Sequence, residues 1–299
     1  MPTNIVADTN IYYDLAEGRA KHADIVSGDD ILFCSPLSII EIISKMDDTN
    51  FEPRRNAIRA MLDHGAKVIP DPQSFLTQNI FGHKLNHQSP DWMDVMKGVG
   101  GAKTLKDLEL GVIDRLERKV RTVSVDYMRQ WREVIDEQWL QDLLDIMRDQ
   151  FANFDETYKA IKEGKNSSPP KLRKEKKKSF LDFINSPEWY IEQMRALYQR
   201  SLHYAEEPYA SDPGTMTPDK FLAMLAKLVC HMGVYSEYVK SILTEGRLPA
   251  LNDSGDMELM IYTVNDSHIV ATAENKWPEF AKRAGFENRV RHIKHAKSA

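Results

Sequence analysis

Short apolar runs are the feature that most constrains the fold of this chain. Four of them contain β-branched residues and end at a polar residue or a proline: Asn4–Ala7, Ile31–Cys34, 66–69 and 267–273. Segments with helical spacing lie between them, and 289–293 predicts one further short strand. Strands without a polar face are typical of parallel sheets that helices cover on both sides. The sequence therefore predicts an α/β fold around a parallel sheet.

Helix signals follow these strands and fill the middle of the chain. Ser35 and Pro36 are a typical N-cap and first-turn pair, and they open a helix predicted to reach Met46. Caps and apolar spacing predict the further helices at 52–66, 105–162, 188–205, 219–244, 257–264 and 276–284.

Strand signals are confined to two separate stretches. We therefore predict that 1–72 and 250–299 form one α/β core and that 73–249 is an all-helical insertion. A Ser-Ser-Pro-Pro segment and a run of basic residues predict a solvated loop near 165–179. The basic residues are candidates for contact with nucleic acid: Lys171, Arg173, Lys174, Lys176, Lys177 and Lys178.

Charge and composition narrow the class of protein. A net charge of −5 argues against general polyanion binding, so a nucleic acid must meet a local basic patch. No apolar run is long enough to span a membrane and the first residues lack signal-peptide features, so we expect a cytoplasmic protein without membrane contact. Cys34 and Cys230 are too few for a disulfide framework, and we expect two buried, reduced thiols.

Acidic residues occur where the predicted strands end or the neighbouring helices begin. Asp8 ends the first strand and Glu274 follows a late one, at the edge where parallel sheets bind ligands. Glu41 lies in a stripe of isoleucines, where burial requires a cation, unless it faces solvent. Asp253 and Asp256 precede the helix at 257–264, where capping alone also explains acidic residues.

These positions resemble the motifs of the PIN-domain nucleases. The strand IVADTN ends in Asp8 as in the family's first motif, and the helix SPLSIIEIISK carries Glu41 as in its second. The third and fourth acids match Asp256 in DSGDMELMIY and Glu274 in HIVATAENKW, although the fourth acid is usually Asp. The resemblance covers roughly 1–72 and 250–299, and it implies an α/β/α sandwich.

Two alternatives concern the later acids. Asp266 is the third acid if SHIVATAENKW is helical, but β-branched residues favour a strand there. Asp253 lies three residues before Asp256 and shares or replaces its role in the second alternative.

The chemistry of such a cluster follows from its charges. Several carboxylates in one pocket hold protons at neutral pH unless a cation neutralises them. Oxygen ligands with open positions suit Mg²⁺ or Mn²⁺, which activate water and stabilise a reacting phosphate. The resemblance thus implies a metal-dependent nuclease, with RNA as the favoured substrate.

The resemblance also implies a role for each residue. Asp8 is expected as the central metal ligand, Glu41 and Asp256 as ligands or water-positioning groups, and Glu274 as an outer ligand. Thr9 and Asn10 are expected to orient them. The alternatives are a structure-selective DNA nuclease and a non-catalytic PIN-like scaffold, and a homo-oligomer is possible in each case.

Overall fold

A computed structural model of the chain has a mixed α/β architecture. The structure describes residues 2–86, 90–108, 141, 144–145, 148, 151–152, 154–162, 171–172, 181–206, 217–245, 249–250 and 252–294. The described strands are β1 (Asn4–Ala7), β2 (Ile31–Cys34), β3 (Lys67–Val68), β4 (Phe151–Ala152), β5 (Lys171–Leu172), β6 (His268–Thr272) and β7 (Val290–His292). The described α-helices are α1 (Thr9–Ala16), α2 (His22–Ile25), α3 (Pro36–Ser44), α4 (Phe51–Asp63), α5 (Pro72–Asn79), α6 (Trp92–Gly101), α7 (Phe154–Lys162), α8 (Pro187–Leu202), α9 (Pro218–Glu245), α10 (Asp253–Leu259) and α11 (Lys276–Arg283).

Five strands form one parallel sheet in the order β3-β2-β1-β6-β7. Ala7 pairs with Cys34 of β2 and with Ala271 of β6, so these three strands end close to the same level. The chain runs outward from β1 on one side through β2 and β3, and on the other side through β6 and β7. The carboxyl end of β1 is therefore the point at which the strand order reverses, where open parallel sheets leave a crevice.

Both faces of the sheet are buried, as the apolar strands predict. Ile5 and Ala7 of β1 belong to one hydrophobic core, and Val6 between them belongs to the other. Helices α1, α3, α4 and α6 contribute to the first core, whereas α5, α8, α9, α11 and the 3₁₀ helix Met260–Val264 contribute to the second. The predicted parallel sheet is confirmed at this level, and Cys34 and Cys230 are both buried, as predicted.

Local sequence signals predicted the start of α3 correctly. The hydroxyl of Ser35 accepts a hydrogen bond from the amide of Leu37, and Pro36 is the first residue of α3, as predicted. The prediction for the later helix was wrong at its start: α10 begins at Asp253, and the 3₁₀ helix continues it. A carboxylate oxygen of Asp253 accepts a hydrogen bond from the amide of Ala250 and so closes the preceding turn.

The prediction of an all-helical insertion at 73–249 was wrong in detail. Strands β4 and β5 form an antiparallel pair, and Leu85 forms an isolated bridge with Ala205. Lys171 and Leu172 follow two consecutive prolines in the sequence, and proline cannot donate a helical hydrogen bond. Most of the helical stretch predicted at 105–162 lies outside the described residues; α7 is its longest described part.

Helices from this middle segment pack directly on the α/β core. Met232 and Tyr238 of α9 share a hydrophobic core with Val6 of β1 and Trp277 of α11. Within the described residues, no helix combines the length and the apolar character needed to cross a membrane.

Candidate active site

Four of the predicted acidic residues meet at the carboxyl edge of the sheet. Asp8 follows β1, Glu41 lies in α3 after β2, Asp256 lies in α10, and Glu274 follows β6. The carboxylates of the other three are close enough to Asp8 to raise its pKa. These strands end at the same edge of the sheet, and short connections lead from them to the helices. The fold therefore brings these acids together, although 266 positions separate Asp8 from Glu274.

Asp8 lies at the centre of this cluster and is buried. Its Oδ1 accepts a 2.6 Å hydrogen bond from the amide of Thr9, which caps α1, and its Oδ2 accepts a 3.0 Å hydrogen bond from the hydroxyl of Thr272. Burial raises the pKa of Asp8 well above its usual range, and the charges of Asp256 and Glu41 raise it further. The neutral donors orient this carboxylate without cancelling its charge.

Glu41 faces the cluster rather than open solvent. Its side chain is 23% exposed, its Oε2 accepts a 2.7 Å hydrogen bond from the hydroxyl of Thr9, and its Oε1 lies 3.5 Å from Nζ of Lys45. Thr9 therefore contacts both Asp8 and Glu41, through its amide and its hydroxyl respectively. Asn10 is exposed on α1.

Asp256 is the second strongly perturbed acid. Burial raises its pKa to about 7, with a further contribution from the charge of Glu274 and an opposing one from Lys276. Its Oδ2 is buried and lies 3.2 Å from Nζ of Lys276, and the side chain of Trp277 also acts to lower its pKa. The lysine therefore compensates part of the charge of this buried carboxylate.

Lys276 is a site residue that the sequence analysis missed. It is the first residue of α11, and its Nζ lies 2.6 Å from Oδ1 of Asp253 and 2.8 Å from Oε2 of Glu274, in addition to its contact with Asp256. A lysine two residues after a suspected site acid was the available signal. Its charge makes it a counter-ion for the late acids.

Asp253 does not replace Asp256 in the cluster. Its side chain is 0% exposed, and its Oδ2 accepts hydrogen bonds from the hydroxyl of Tyr238 at 2.9 Å and from the amide of Ala250 at 3.0 Å. With Lys276 on its other oxygen, Asp253 is an anchor that joins α9, α10 and α11.

The structure places Asp266 apart from the cluster. Asp266 precedes β6, so it lies at the amino end of the sheet, where its fully exposed carboxylate pairs with Arg289 at 2.7 Å. The alternative that used Asp266 required a helix over the following residues, and the structure has β6 there instead. The β-branched residues Ile269, Val270 and Thr272 favour this strand.

The predicted basic patch is only partly described. Lys171 lies in β5, whereas Arg173, Lys174, Lys176, Lys177 and Lys178 lie outside the described residues.

The carboxylates of the cluster suit a divalent cation by their chemistry but not by their present positions. Its donors are hard carboxylate oxygens, the type that Mg²⁺ and Mn²⁺ prefer. Among the described residues, no three His, Cys, Asp or Glu side chains are positioned to hold an ion as they stand. The threonine hydroxyls and Lys276 hold these carboxylates, so an ion on Asp8, Glu41 and Asp256 requires them to turn toward it.

Comparisons with known proteins found no match to this chain among protein-family models, among curated proteins or among solved structures.

Proposed function

We propose that this chain is a PIN-like, metal-dependent nuclease that hydrolyses phosphodiester bonds, with RNA as its favoured substrate. The observation that carries the proposal is the placement of Asp8, buried at the switch point of a parallel sheet among the carboxylates of Glu41, Asp256 and Glu274. Four acids from separate elements repel each other, and acids with such perturbed pKa values cluster at functional sites. The resemblance of the IVADTN and SPLSIIEIISK segments to the PIN-domain motifs supports the choice of chemistry and of RNA.

Asp8, Glu41 and Asp256 would hold a Mg²⁺ or Mn²⁺ ion, with Glu274 at the periphery. When bound, such an ion supplies positive charge for a reacting phosphate and lowers the pKa of a water molecule. The chain's own groups set the geometry: Thr9 donates to both Asp8 and Glu41, and Thr272 donates to Asp8. These donors orient the carboxylates in the metal-free structure, and the carboxylates would turn from these orientations when an ion binds.

The test compares the wild-type protein with Asp8→Asn and with Asp266→Asn. End-labelled single-stranded RNA, hairpin RNA and single-stranded DNA are incubated with each protein in Mn²⁺, Mg²⁺ or EDTA. We expect cleavage of RNA only with metal, and a loss of more than about 100-fold in Asp8→Asn, since even outer partners of metal ligands contribute 10–100-fold. Asp266→Asn carries the same exchange on the exposed opposite edge and should cut like the wild type.

Equal cleavage by the wild type and Asp8→Asn would assign the activity to a contaminant and remove the proposal. Cleavage confined to the DNA lane would keep the metal chemistry and replace the substrate.

A non-catalytic binding module is a second candidate, and Lys276 favours it. Its ammonium group contacts three of the late carboxylates and compensates them without any metal ion. This candidate predicts no cleavage of any substrate and no rise in melting temperature on addition of Mn²⁺, whereas a metal-binding site stabilises the folded state as the ion binds.

A further inference from the structure

Lys276 places a positive charge inside the acidic cluster. Its Nζ lies 2.6 Å from Asp253, 2.8 Å from Glu274 and 3.2 Å from Asp256. An ammonium group has three N–H donors, and three carboxylates surround this one. The contacts come from α10 and from the residue that follows β6 by two positions, so they tie two separate segments of the site to one cation.

The ammonium group is held in place from several directions. The side chain of Lys276 is only 20% exposed, and its Nζ lies 4.8 Å from the ring centre of the buried Trp277. Asp253 is fully buried and is itself fixed by Tyr238 and Ala250. Moving the lysine into solvent would leave the buried charge of Asp253 without its counter-ion, which is costly.

The charges of the site show which carboxylates Lys276 does not compensate. Five carboxylates lie in and beside the site, and within the described part of the chain two lysines contact them. Lys45 is 42% exposed and lies 3.5 Å from Glu41, so solvent screens much of its effect, and Lys276 contacts only the late acids. When a divalent ion binds and these carboxylates are ionised, Asp8 and Glu41 are therefore the acids that Lys276 leaves without compensation. One divalent ion beside Asp8 and Glu41 would nearly neutralise the cluster, and a second ion would have to compete with Lys276.

We infer that Lys276 is a resident cation that takes the place of a second metal ion, so that the site binds one divalent ion. The inference rests on the proposed function, because it concerns the metal of that same site. Lys276 is a positioning residue here: it sets the number of ions and the orientation of Asp256 and Glu274.

The test counts Mn²⁺ ions bound to the full chain, by calorimetric titration and by the electron paramagnetic resonance signal of free Mn²⁺. The wild type should bind one ion. Lys276→Met should bind two, and its first ion should bind at least about tenfold more tightly, because a nearby positive charge is gone. Lys276→Arg keeps the charge and should again bind one ion.

A second variant keeps the test informative if Lys276→Met does not fold. The double substitution Asp253→Asn with Lys276→Met removes one charge of each sign, and the amide can still accept from Tyr238 and Ala250. This variant should also bind two ions.

Two ions in the wild type, or one ion in folded Lys276→Met and in the double variant, would overturn the inference. In the second case RNA cleavage by the wild type would still support the proposed function. No Mn²⁺ bound to any of the proteins would overturn both.

Discussion

The two halves of the acidic cluster hold the same chemical group by different means. In the first half, Asp8 and Glu41 accept hydrogen bonds from hydroxyl and amide groups of Thr9 and Thr272. In the second half, Asp253, Asp256 and Glu274 surround the ammonium group of Lys276. Neutral donors fix the direction of a carboxylate, whereas a cation also cancels its charge.

This difference identifies the half of the cluster that destabilises the folded protein when no ligand is bound. Asp8 is buried beside other carboxylates and contacts no cation among the described residues, and burial and the neighbouring charges raise its pKa. Asp253 is buried just as deeply, but Lys276 contacts it directly. The first half therefore gains most from an added cation, and the second half is stable as it stands.

The largest difference in stability should come from replacing an aspartate by asparagine in each half of the cluster. In EDTA, Asp253→Asn should destabilise the protein by about 2–3 kcal/mol, because it removes one partner of a buried pair while Lys276 keeps two other carboxylates. Asp8→Asn should instead raise the melting temperature at neutral pH, because folding raises the pKa of Asp8 and this cost is absent in the variant. Thermal denaturation of both variants measures the two effects.

A lower melting temperature for Asp8→Asn than for the wild type in EDTA would contradict this comparison. The exposed exchange Asp266→Asn serves as the reference for the substitution itself.

The next effect concerns pH and Asp256. Its pKa is raised from 3.8 to about 7 by folding, so the metal-free folded state binds its proton more tightly and this group's contribution to stability falls as pH rises through that interval. Relative to Asp256→Asn, the wild type should gain about 1–2 kcal/mol when pH is lowered from about 7 to about 5.5.

Urea denaturation of both proteins in EDTA at the two pH values checks this difference. The variant is the necessary reference, because buried histidines act in the opposite direction: burial lowers the pKa of His231 to about 4. A stability difference between the proteins that does not change with pH would contradict the perturbed state of Asp256.

A smaller effect is expected at Thr272. Thr272→Val keeps the branched shape that suits β6 but removes the donor to Asp8 and the acceptor for the amide of Glu274. We expect a loss of about 1 kcal/mol in stability and a loss of about 10–100-fold in cleavage, as for other partners of metal ligands. Full activity would mean that this hydroxyl does not orient Asp8 in the working site.

The smallest effect should come from Asp266→Asn. Its carboxylate is fully exposed and forms an ion pair with Arg289, and exposed ion pairs contribute little to stability. The melting temperature and the cleavage rate of the variant should therefore both match those of the wild type. A clear loss of cleavage would mean that the active edge of the sheet has been misassigned.

The sequence predicted those features that depend on local patterns. Apolar runs indicated the strands, the Ser35–Pro36 pair indicated the start of α3, and strand ends indicated Asp8 and Glu274. Lys276 and the anchoring role of Asp253 were missed because they depend on contacts between α9, α10 and α11. Such contacts join residues that no short motif contains.

The sheet also determines when during synthesis the site can exist. Strand β1 pairs with β2, which follows closely, but its other neighbour is β6, which ends at Thr272. At typical rates of synthesis, about 10–40 s pass between the completion of β3 and that of β6. During that time one edge of β1 is unpaired, and Asp8 and Glu41 exist without Asp256, Glu274 and Lys276. The growing chain therefore has no complete acidic cluster until most of it has been made, so the site is assembled late, together with the last strands of the sheet.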